Sequence, residues 1–200
     1  MRKSAATLSY WAGCRTGKSV RVNDRNVWKA DIWLASVSAM KHPATLHLFC
    51  GKIGSGKSTL AAQLAAAPDS ILISQDHLLA SLYPGEIVTL EDYVRCSSRL
   101  RKAITPHIED LLRTGISVVL DFPATTVSFR SWMRQLFEAA ECNHQLHVLL
   151  TPESICKDRL AIRNASGLHQ YHVSDADFEL FNQYVVAPDP NEGFNIVTHD

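Results

Sequence analysis

The 200-residue sequence lacks several features that would direct it to particular classes of protein. Its 20 Lys and Arg residues balance its 20 Asp and Glu residues, so no overall field favours nucleic acid or acidic lipid. No apolar run approaches the ~18 residues that cross a bilayer, and no basic-then-apolar signal peptide is recognisable. The five cysteines form no C-x-x-C pair, which disfavours a zinc site or a disulfide framework. We therefore expect a cytoplasmic protein with no membrane partner, monomeric or weakly dimeric.

The first 44 residues differ in charge from the rest of the chain. They hold 8 of the 20 Lys and Arg residues but only 2 of the 20 Asp and Glu residues, and their tryptophans follow no period. Met40 stands five residues before the first regular strand, which begins at Thr45. We therefore expect residues 1–39 to be a poorly ordered arm or a spurious extension of the coding frame, and residues 40–200 to form one domain.

From Thr45 onward, short apolar runs alternate with helical patterns. Strands are expected at Thr45–Cys50, Ser70–Ser74, Ile116–Asp121, Gln145–Leu150 and Phe194–Val197. Helices are expected at Lys57–Ala67, from Leu90 to Ile104, at Val127–Ala140, from Pro152 to about Asn164, and behind a capping box at Ser174–Asp177. Thr105-Pro106 resembles an N-cap followed by proline, which predicts a new or kinked helix reaching Gly115. This alternation predicts an α/β fold with a mostly parallel five-stranded sheet and helices on both faces.

A phosphate-binding loop lies between the first strand and the first helix. Residues Gly51–Ser58 match G-x-x-x-x-G-K-[ST], in which glycines let successive N–H groups point at one anion. The following helix adds its positive dipole end, Lys57 adds a charge for the β- and γ-phosphates, and the Ser58 hydroxyl suits Mg²⁺. The residues expected to bind the nucleotide are Gly51, Lys52, Ile53, Gly54, Ser55, Gly56, Lys57, Ser58 and Thr59.

Two aspartates follow expected strands at the edge where open α/β sheets bind ligands. Asp121 closes the strand Ile116–Asp121 and can reach Mg²⁺ directly or through water. Asp76 lies just past Ser70–Ser74 and suits a general base for a substrate hydroxyl. Either could instead be a helix cap or a turn residue.

Basic side chains on the helix after the fourth strand form a candidate lid. Arg159 and Arg163 are four residues apart and share a face, where guanidinium groups can bind phosphate oxygens. The segment 164–167 is a natural hinge, although a solvated helix face remains the alternative. Arg130 is a weaker candidate for binding the acceptor. The nine histidines show no metal-ligand spacing, and His47 and His147 fit core or edge positions of strands.

Together these features resemble the P-loop kinase group, which includes adenylate and gluconate kinases, polynucleotide kinase, chloramphenicol phosphotransferase and zeta-type toxins. The chain is most similar to kinase-like AAA-type ATP-binding proteins, over about residues 45–198. The resemblance implies a three-layer P-loop NTPase fold, with Asp76 at the position of the catalytic base. It also implies that Arg159 and Arg163 lie in the arginine-bearing lid. The stretch Leu120–Pro123 is similar to the LDGFPR segment of adenylate kinases but lacks its Gly and Arg, which weighs against a nucleoside-monophosphate acceptor.

The expected function is therefore the Mg²⁺-dependent transfer of the γ-phosphoryl group of ATP to a hydroxyl of a small molecule. Lys57, Asp76, Arg159 and Arg163 are the expected catalytic residues, and Ser58 and Asp121 are expected to organise the metal. Two alternatives stay open. One is a zeta-type toxin that phosphorylates a nucleotide-sugar, and the other is a nucleotide-dependent binding switch without productive catalysis.

Overall fold

The structure is a computed structural model that describes residues 43–167 and 173–200. The expected N-terminal extension, residues 1–39, lies outside the described residues. The strands are β1 (Thr45–Cys50), β2 (Ser70–Ser74), β3 (Ser117–Pro123), β4 (Asn143–Leu149) and β5 (Ile196–His199). The helices are α1 (Lys57–Ala65), α2 (Gln75–Leu82), α3 (Leu90–Arg113), α4 (Val127–Ala140), α5 (Glu153–Ser166) and α6 (Asp175–Asn182), with a 3₁₀ turn at Pro190–Glu192. None of these helices is both long and apolar enough to cross a membrane.

The five strands form one sheet in the order β2-β3-β1-β4-β5, and every neighbouring pair is parallel. Side chains of β1 alternate between two cores because successive residues of a strand point to opposite faces. Leu46 and Leu48 join the larger core, which is shared with α3 and α4. Phe49 packs on the other face with Ala61 of α1. The predicted α/β architecture, a parallel five-stranded sheet between two helical layers, is confirmed.

Helix α3 departs from the sequence-based prediction because it continues unbroken through Pro106. The predicted N-cap at Thr105 is wrong. The Thr105 hydroxyl donates to the Arg101 carbonyl (2.7 Å) and accepts from the Trp132 indole N–H (2.9 Å). Proline removes one helical N–H donor, but the turns beyond it bury Ile108 and Leu112 in the larger core. Tertiary packing therefore outweighs the local signal for a break.

A buried ion pair fixes the first turns of α4 to the chain that leads into β5. The Arg130 guanidinium is fully buried, and it donates to the Glu192 carboxylate through Nε (2.6 Å) and Nη2 (2.8 Å). It also donates to the carbonyl oxygens of Ala124 and Val186. Arg130 is therefore a structural residue with no exposed surface to offer a ligand, and its weaker prediction as an acceptor-binding residue is wrong.

Three histidines form a row across the α1 side of the sheet. His47 of β1 is hydrogen-bonded to His147 of β4 (3.1 Å), which is hydrogen-bonded to His199 of β5 (2.9 Å). The His147 ring is buried and stacks on the ring of Phe49, with the centroids 5.3 Å apart. These contacts place His147 in the core, as its position in a strand predicts, and they join the edge strand β5 to the centre of the sheet.

Candidate functional site

The phosphate-binding loop leaves the carboxyl end of β1 and enters α1 at Lys57, as the sequence predicts. Gly54 and Gly56 have positive φ angles of 78° and 101°, which side chains other than glycine's rarely adopt. A Cβ on Gly54 would also lie 2.6 Å from the Cys156 carbonyl oxygen of α5. The loop therefore depends on glycine both for its curl and for its contact with α5.

Lys57 is held inside the loop. Its Nζ donates to the carbonyl oxygens of Gly51 (2.8 Å) and Lys52 (2.7 Å). Burial lowers the pKa of Lys57, and the nearby Asp121 and Asp76 carboxylates act in the opposite direction. The ammonium group is consequently fixed beside two carboxylates at the mouth of the loop, where it can attract phosphate oxygens.

Asp121 lies within β3 rather than at its end, because the strand continues to Pro123. The predicted strand end at Asp121 is therefore wrong by two residues. The β1–β3 register shifts in this stretch: His47 pairs with Val119, whereas Phe49 pairs with Pro123. Irregularities of this kind re-aim side chains and are frequent beside active sites. Val118, Leu120 and Phe122 alternate into the larger core, so Asp121 lies on the opposite face of β3, where its carboxyl group reaches Ser58 and Lys57 of the loop.

The side chains of Ser58, Asp121 and Asp76 come together at this edge of the sheet. Ser58 is hydrogen-bonded to the Asp121 carboxyl group. Burial raises the pKa of Asp121, the charge of Asp76 raises it further, and Lys57 together with the Ser58 bond lowers it. Asp76 lies in the first turn of α2, two residues past Ser74, which pairs with Asp121 across the β2–β3 ladder. Two carboxylates with one lysine suit a divalent cation and a proton transfer.

Both arginines of α5 lie close to the loop, on the helix that was expected to carry them. Arg159 donates through Nη1 to the Ser55 carbonyl oxygen (3.1 Å). In Arg163 the buried Nε and Nη2 atoms have no hydrogen-bond partner, and the charge of Asp76 acts on its guanidinium. Burial lowers the pKa of Arg163. The arrangement gives one arginine fixed on the loop and a second with unused donors beside Asp76.

The expected hinge at 164–167 takes a different form. Helix α5 runs to Ser166, and Asn164 is helical. The Asn164 side chain donates to the Val173 carbonyl (2.7 Å) and accepts from the Val173 N–H (3.3 Å). Gly167 alone leaves the helix, in a left-handed conformation. The prediction of a hinge over the whole segment is therefore wrong, because the amide of Asn164 supports the helix end.

A clasp formed by α5 and α6 covers the outer side of the loop. Lys52 forms an ion pair with Glu153 (2.9 Å), and Lys157 bridges Glu153 (3.0 Å) and Glu179 of α6 (2.7 Å). The Ile53 N–H donates to the Asn182 side chain (3.3 Å). The Lys52 side chain and both the side chain and the N–H of Ile53 therefore engage the clasp, whereas the Lys52 carbonyl faces Lys57 inside the loop.

The remaining loop residues differ in exposure. The Ser55 hydroxyl is buried and has no hydrogen-bond partner, which suits a loop that accepts a ligand. Thr59 is exposed on the first turn of α1. Within the described ranges, no three His, Cys, Asp or Glu side chains converge on one point to hold a metal ion. A magnesium ion here would therefore need water and phosphate oxygens to complete its shell, which is its usual habit.

Sequence reasoning missed several groups around this site. Gln75 is buried and donates to the Tyr93 hydroxyl, whose ring lies 6.5 Å from that of Phe181 on α6. Asn182 holds the loop through one amide oxygen. Gln75 stands next to Asp76, which is the one signal that could have identified it. Nothing in the spacing of Tyr93 or Asn182 indicates that α3 and α6 approach the loop.

Comparison with known proteins agrees with this geometry. A family model described as an AAA domain matches residues 46–188. Among curated proteins, none matches the sequence significantly. A solved kinase-like protein from Chloroflexus aurantiacus is 22% identical, with a TM-score of 0.62 over 80% of this chain and 86% of that one.

Two further solved structures hold nucleotides. Chaetomium thermophilum Kti12 in complex with ADP-AlF3 is 16% identical, with a TM-score of 0.58 over 78% of this chain and 89% of that one. The Mycobacterium tuberculosis APS kinase CysC in complex with AMPPNP and APS is 18% identical, with a TM-score of 0.52 over 79% and 90%. At these identities the likeness concerns the fold, and it confirms the expected P-loop kinase-like architecture.

Proposed function

We propose that this chain, which belongs to the AAA-domain family, is a magnesium-dependent kinase that transfers the γ-phosphoryl group of ATP to a hydroxyl of a small molecule. The observation that carries the proposal is the grouping of Lys57, Asp121 and Asp76 at the mouth of the phosphate-binding loop. Adenine nucleotides in two proteins of this fold support ATP as the donor.

The loop and its neighbours bind and orient the donor. Backbone N–H groups of the loop other than those of Ile53 and Ser55, which are already bonded, and the start of α1 provide donors and a positive dipole for the phosphates. Lys57, already held by two carbonyls, places its charge against the β- and γ-phosphates. Ser58 and Asp121 are the residues that would hold Mg²⁺. The bound ion would neutralise part of the negative charge of the phosphates.

Asp76 activates the acceptor. Its carboxylate takes the proton of the acceptor hydroxyl while the hydroxyl oxygen forms a bond to the γ-phosphorus. The bond from that phosphorus to the β–γ bridging oxygen breaks, and ADP leaves with the bonding electron pair. Arg163, with donors unused beside Asp76, stabilises the charge on the transferring group, and Arg159 fixes α5 against the loop.

The proposal predicts separable effects of two substitutions. In Asp76→Asn the amide cannot accept the proton, so kcat for transfer should fall about 10²–10⁴-fold while ATP affinity stays within about threefold. In Lys57→Ala both the affinity and the transfer should be lost. Labelled ATP with Mg²⁺ and fractionated metabolites measures transfer, and calorimetry measures ATP binding.

Asp158→Asn is the matched control because Asp158 is exposed on α5 and its substitution removes the same charge. It should leave both readouts unchanged. Undiminished transfer by Asp76→Asn would remove Asp76 as the base. ATP binding without transfer to any fraction, combined with a partner retained only in the presence of ATP, would favour the non-catalytic switch.

A further inference from the structure

Helix α3 extends past the edge of the sheet that carries the phosphate-binding loop. Arg101, the twelfth residue of α3, lies with its Cζ 4.1 Å from the ring centroid of Phe129, the third residue of α4. Both helices run from the carboxyl edge of the parallel sheet towards its amino edge. Helix α3 therefore begins about nine residues earlier than α4, or roughly 14 Å at 1.5 Å per residue. Its first turns form a wall against the start of α2, where Gln75, the neighbour of Asp76, contacts Tyr93.

One stripe of this wall is polar, with Ser97 buried and Tyr93 and Arg101 half-buried. Tyr93, Ser97 and Arg101 follow one another at intervals of four residues, so they share a face of α3. Gln75, which precedes the proposed base, donates to the Tyr93 hydroxyl. The Gln75 Oε1, Ser97 Oγ and Arg101 Nε atoms are buried without any hydrogen-bond partner. A buried polar atom without a partner destabilises the fold, so a ligand that satisfies these atoms gains from each of them.

Arg101 adds a positive charge that no carboxylate balances in the part of the chain that the structure describes. Its guanidinium lies over Phe129 and 5.6 Å from the ring centroid of Trp132, and burial lowers its pKa. Within residues 43–167 and 173–200 it makes no ion pair, whereas Arg113 and Arg130 each have carboxylate partners. A partly desolvated guanidinium on aromatic rings gains from an anion that reaches its free edge.

We propose that the acceptor of this kinase is a hydroxyl compound that also carries an anionic group such as a phosphate, and that Arg101 binds this group. Ser97 and Gln75 bind neighbouring polar atoms of the same molecule and help to hold its hydroxyl towards Asp76. The inference rests on the proposed kinase function for the identity of the ligand. The anion site itself rests only on the α3 wall.

The first experiment compares neutral and anionic acceptors. Full-length protein with ATP and Mg²⁺ is tested on matched pairs, such as ribose with ribose 5-phosphate and glycerol with glycerol 3-phosphate. Transfer should favour the charged member of at least one pair by about 10²-fold or more in kcat/KM. Equal transfer to the members of every productive pair, or a preference for the neutral members, would overturn the inference.

Substitutions then assign that preference to the wall. Arg101→Met keeps the aromatic contacts but removes the charge, so it should raise the acceptor KM about 10²-fold with the KM for ATP unchanged. Ser97→Ala should raise the acceptor KM by a smaller factor without loss of stability, since no partner of the hydroxyl is lost. Arg99→Met removes the same charge from an exposed position of α3 and should have no effect. An acceptor KM that Arg101→Met leaves unchanged contradicts the assignment.

The second experiment does not depend on catalysis. Full-length protein saturated with AMPPNP and Mg²⁺ is titrated calorimetrically with inorganic phosphate, so that the phosphate-binding loop is already filled. Saturable binding is expected in wild type and Arg99→Met and should be lost in Arg101→Met. Phosphate binding of this kind without transfer to any compound would reject the kinase function but support the anion site. Absence of phosphate binding that depends on Arg101 would reject the site, even for an active kinase.

Discussion

His147 shows how a single buried side chain can set the pH dependence of stability. Burial, followed by the nearby His47 and His199, lowers its pKa from 6.5 to about 4. Burial also lowers the pKa of His47. Between pH 6.5 and 4 the unfolded chain therefore binds more protons than the folded one, so folding stability must rise with pH in this range.

We expect the free energy of unfolding to fall by about 2 kcal/mol from this histidine between pH 7 and pH 5. His147→Phe removes the titrating group while keeping a ring to stack on Phe49, so the variant should show a correspondingly smaller change. Urea unfolding at the two pH values measures it. His107→Gln, at an exposed position of α3, should keep the wild-type slope. An unchanged slope in His147→Phe would show that another group dominates.

The loop proposed to bind phosphate could be located from the sequence because its pattern is local. Gly51–Ser58 needs only the strand before it and the helix after it, and both are visible in the pattern. Asp76 and Asp121 could be placed near the loop because carboxyl ends of parallel strands share one edge. Gln75 and Asn182 could not, since their positions depend on how α3 and α6 pack against that edge.

At the scale of elements, the pair Arg130–Glu192 joins two segments that are distant in sequence, the start of α4 and the chain before β5. Removal of the carboxylate leaves the buried guanidinium as an uncompensated charge. Removal of the guanidinium leaves several carbonyl groups without donors. Hydrogen bonding to Arg130 lowers the pKa of Glu192, consistent with an ionised pair. The contact therefore holds the segment before β5 against α4.

Arg130→Met should lower the free energy of unfolding by about 3–5 kcal/mol, measured by urea denaturation. Arg134→Met is the matched control, because its ion pair with Glu138 is about half exposed and should contribute under ~1 kcal/mol. The double variant Arg130→Met/Glu192→Gln should be less destabilised than the sum of its single variants. Strict additivity would show that the two side chains do not act as a pair.

The sequence predicted best the elements whose ends are marked by capping residues, glycine or proline. Strand β1 and helix α4 match their expected bounds, and the capping box at Ser174 begins α6. Helix α2 starts at Gln75 directly after β2, with no glycine or proline to separate the two. Pro106 led to the wrong prediction that α3 is divided. A proline in the sequence indicates the lost helical hydrogen bond, but it does not indicate the tertiary burial that offsets this loss.

At the scale of the molecule, the sheet is assembled from strands that are far apart in sequence. Strand β1 lies at the centre, between β3 and β4, and His47 contacts His147 across 100 residues. Topologies dominated by such pairings fold slowly because loop-closure entropy is lost before the contacts form. The phosphate-binding loop leaves β1 and is held by α5, so its geometry depends on these late contacts.

During refolding from urea, nucleotide affinity should therefore return only in the slowest kinetic phase, in which the sheet is completed. Stopped-flow binding of a fluorescent ATP analogue measures the return of nucleotide affinity. The recovery of Trp132 fluorescence, in a variant with Phe at positions 11, 28 and 33, measures completion of the sheet. Affinity that returns in an earlier phase than the sheet signal would show that the loop forms locally.

The central position of β1 also has a consequence for synthesis. The phosphate motif leaves the ribosome early, yet its supporting neighbours β3, β4 and α5 are translated afterwards. We therefore expect a nascent chain that contains the motif to retain no nucleotide until α5 has emerged and docked on Gly54. Nucleotide retention would then report a chain synthesised at least through α5, and a protein cut short before that point would stay inert towards the cell's nucleotide pool.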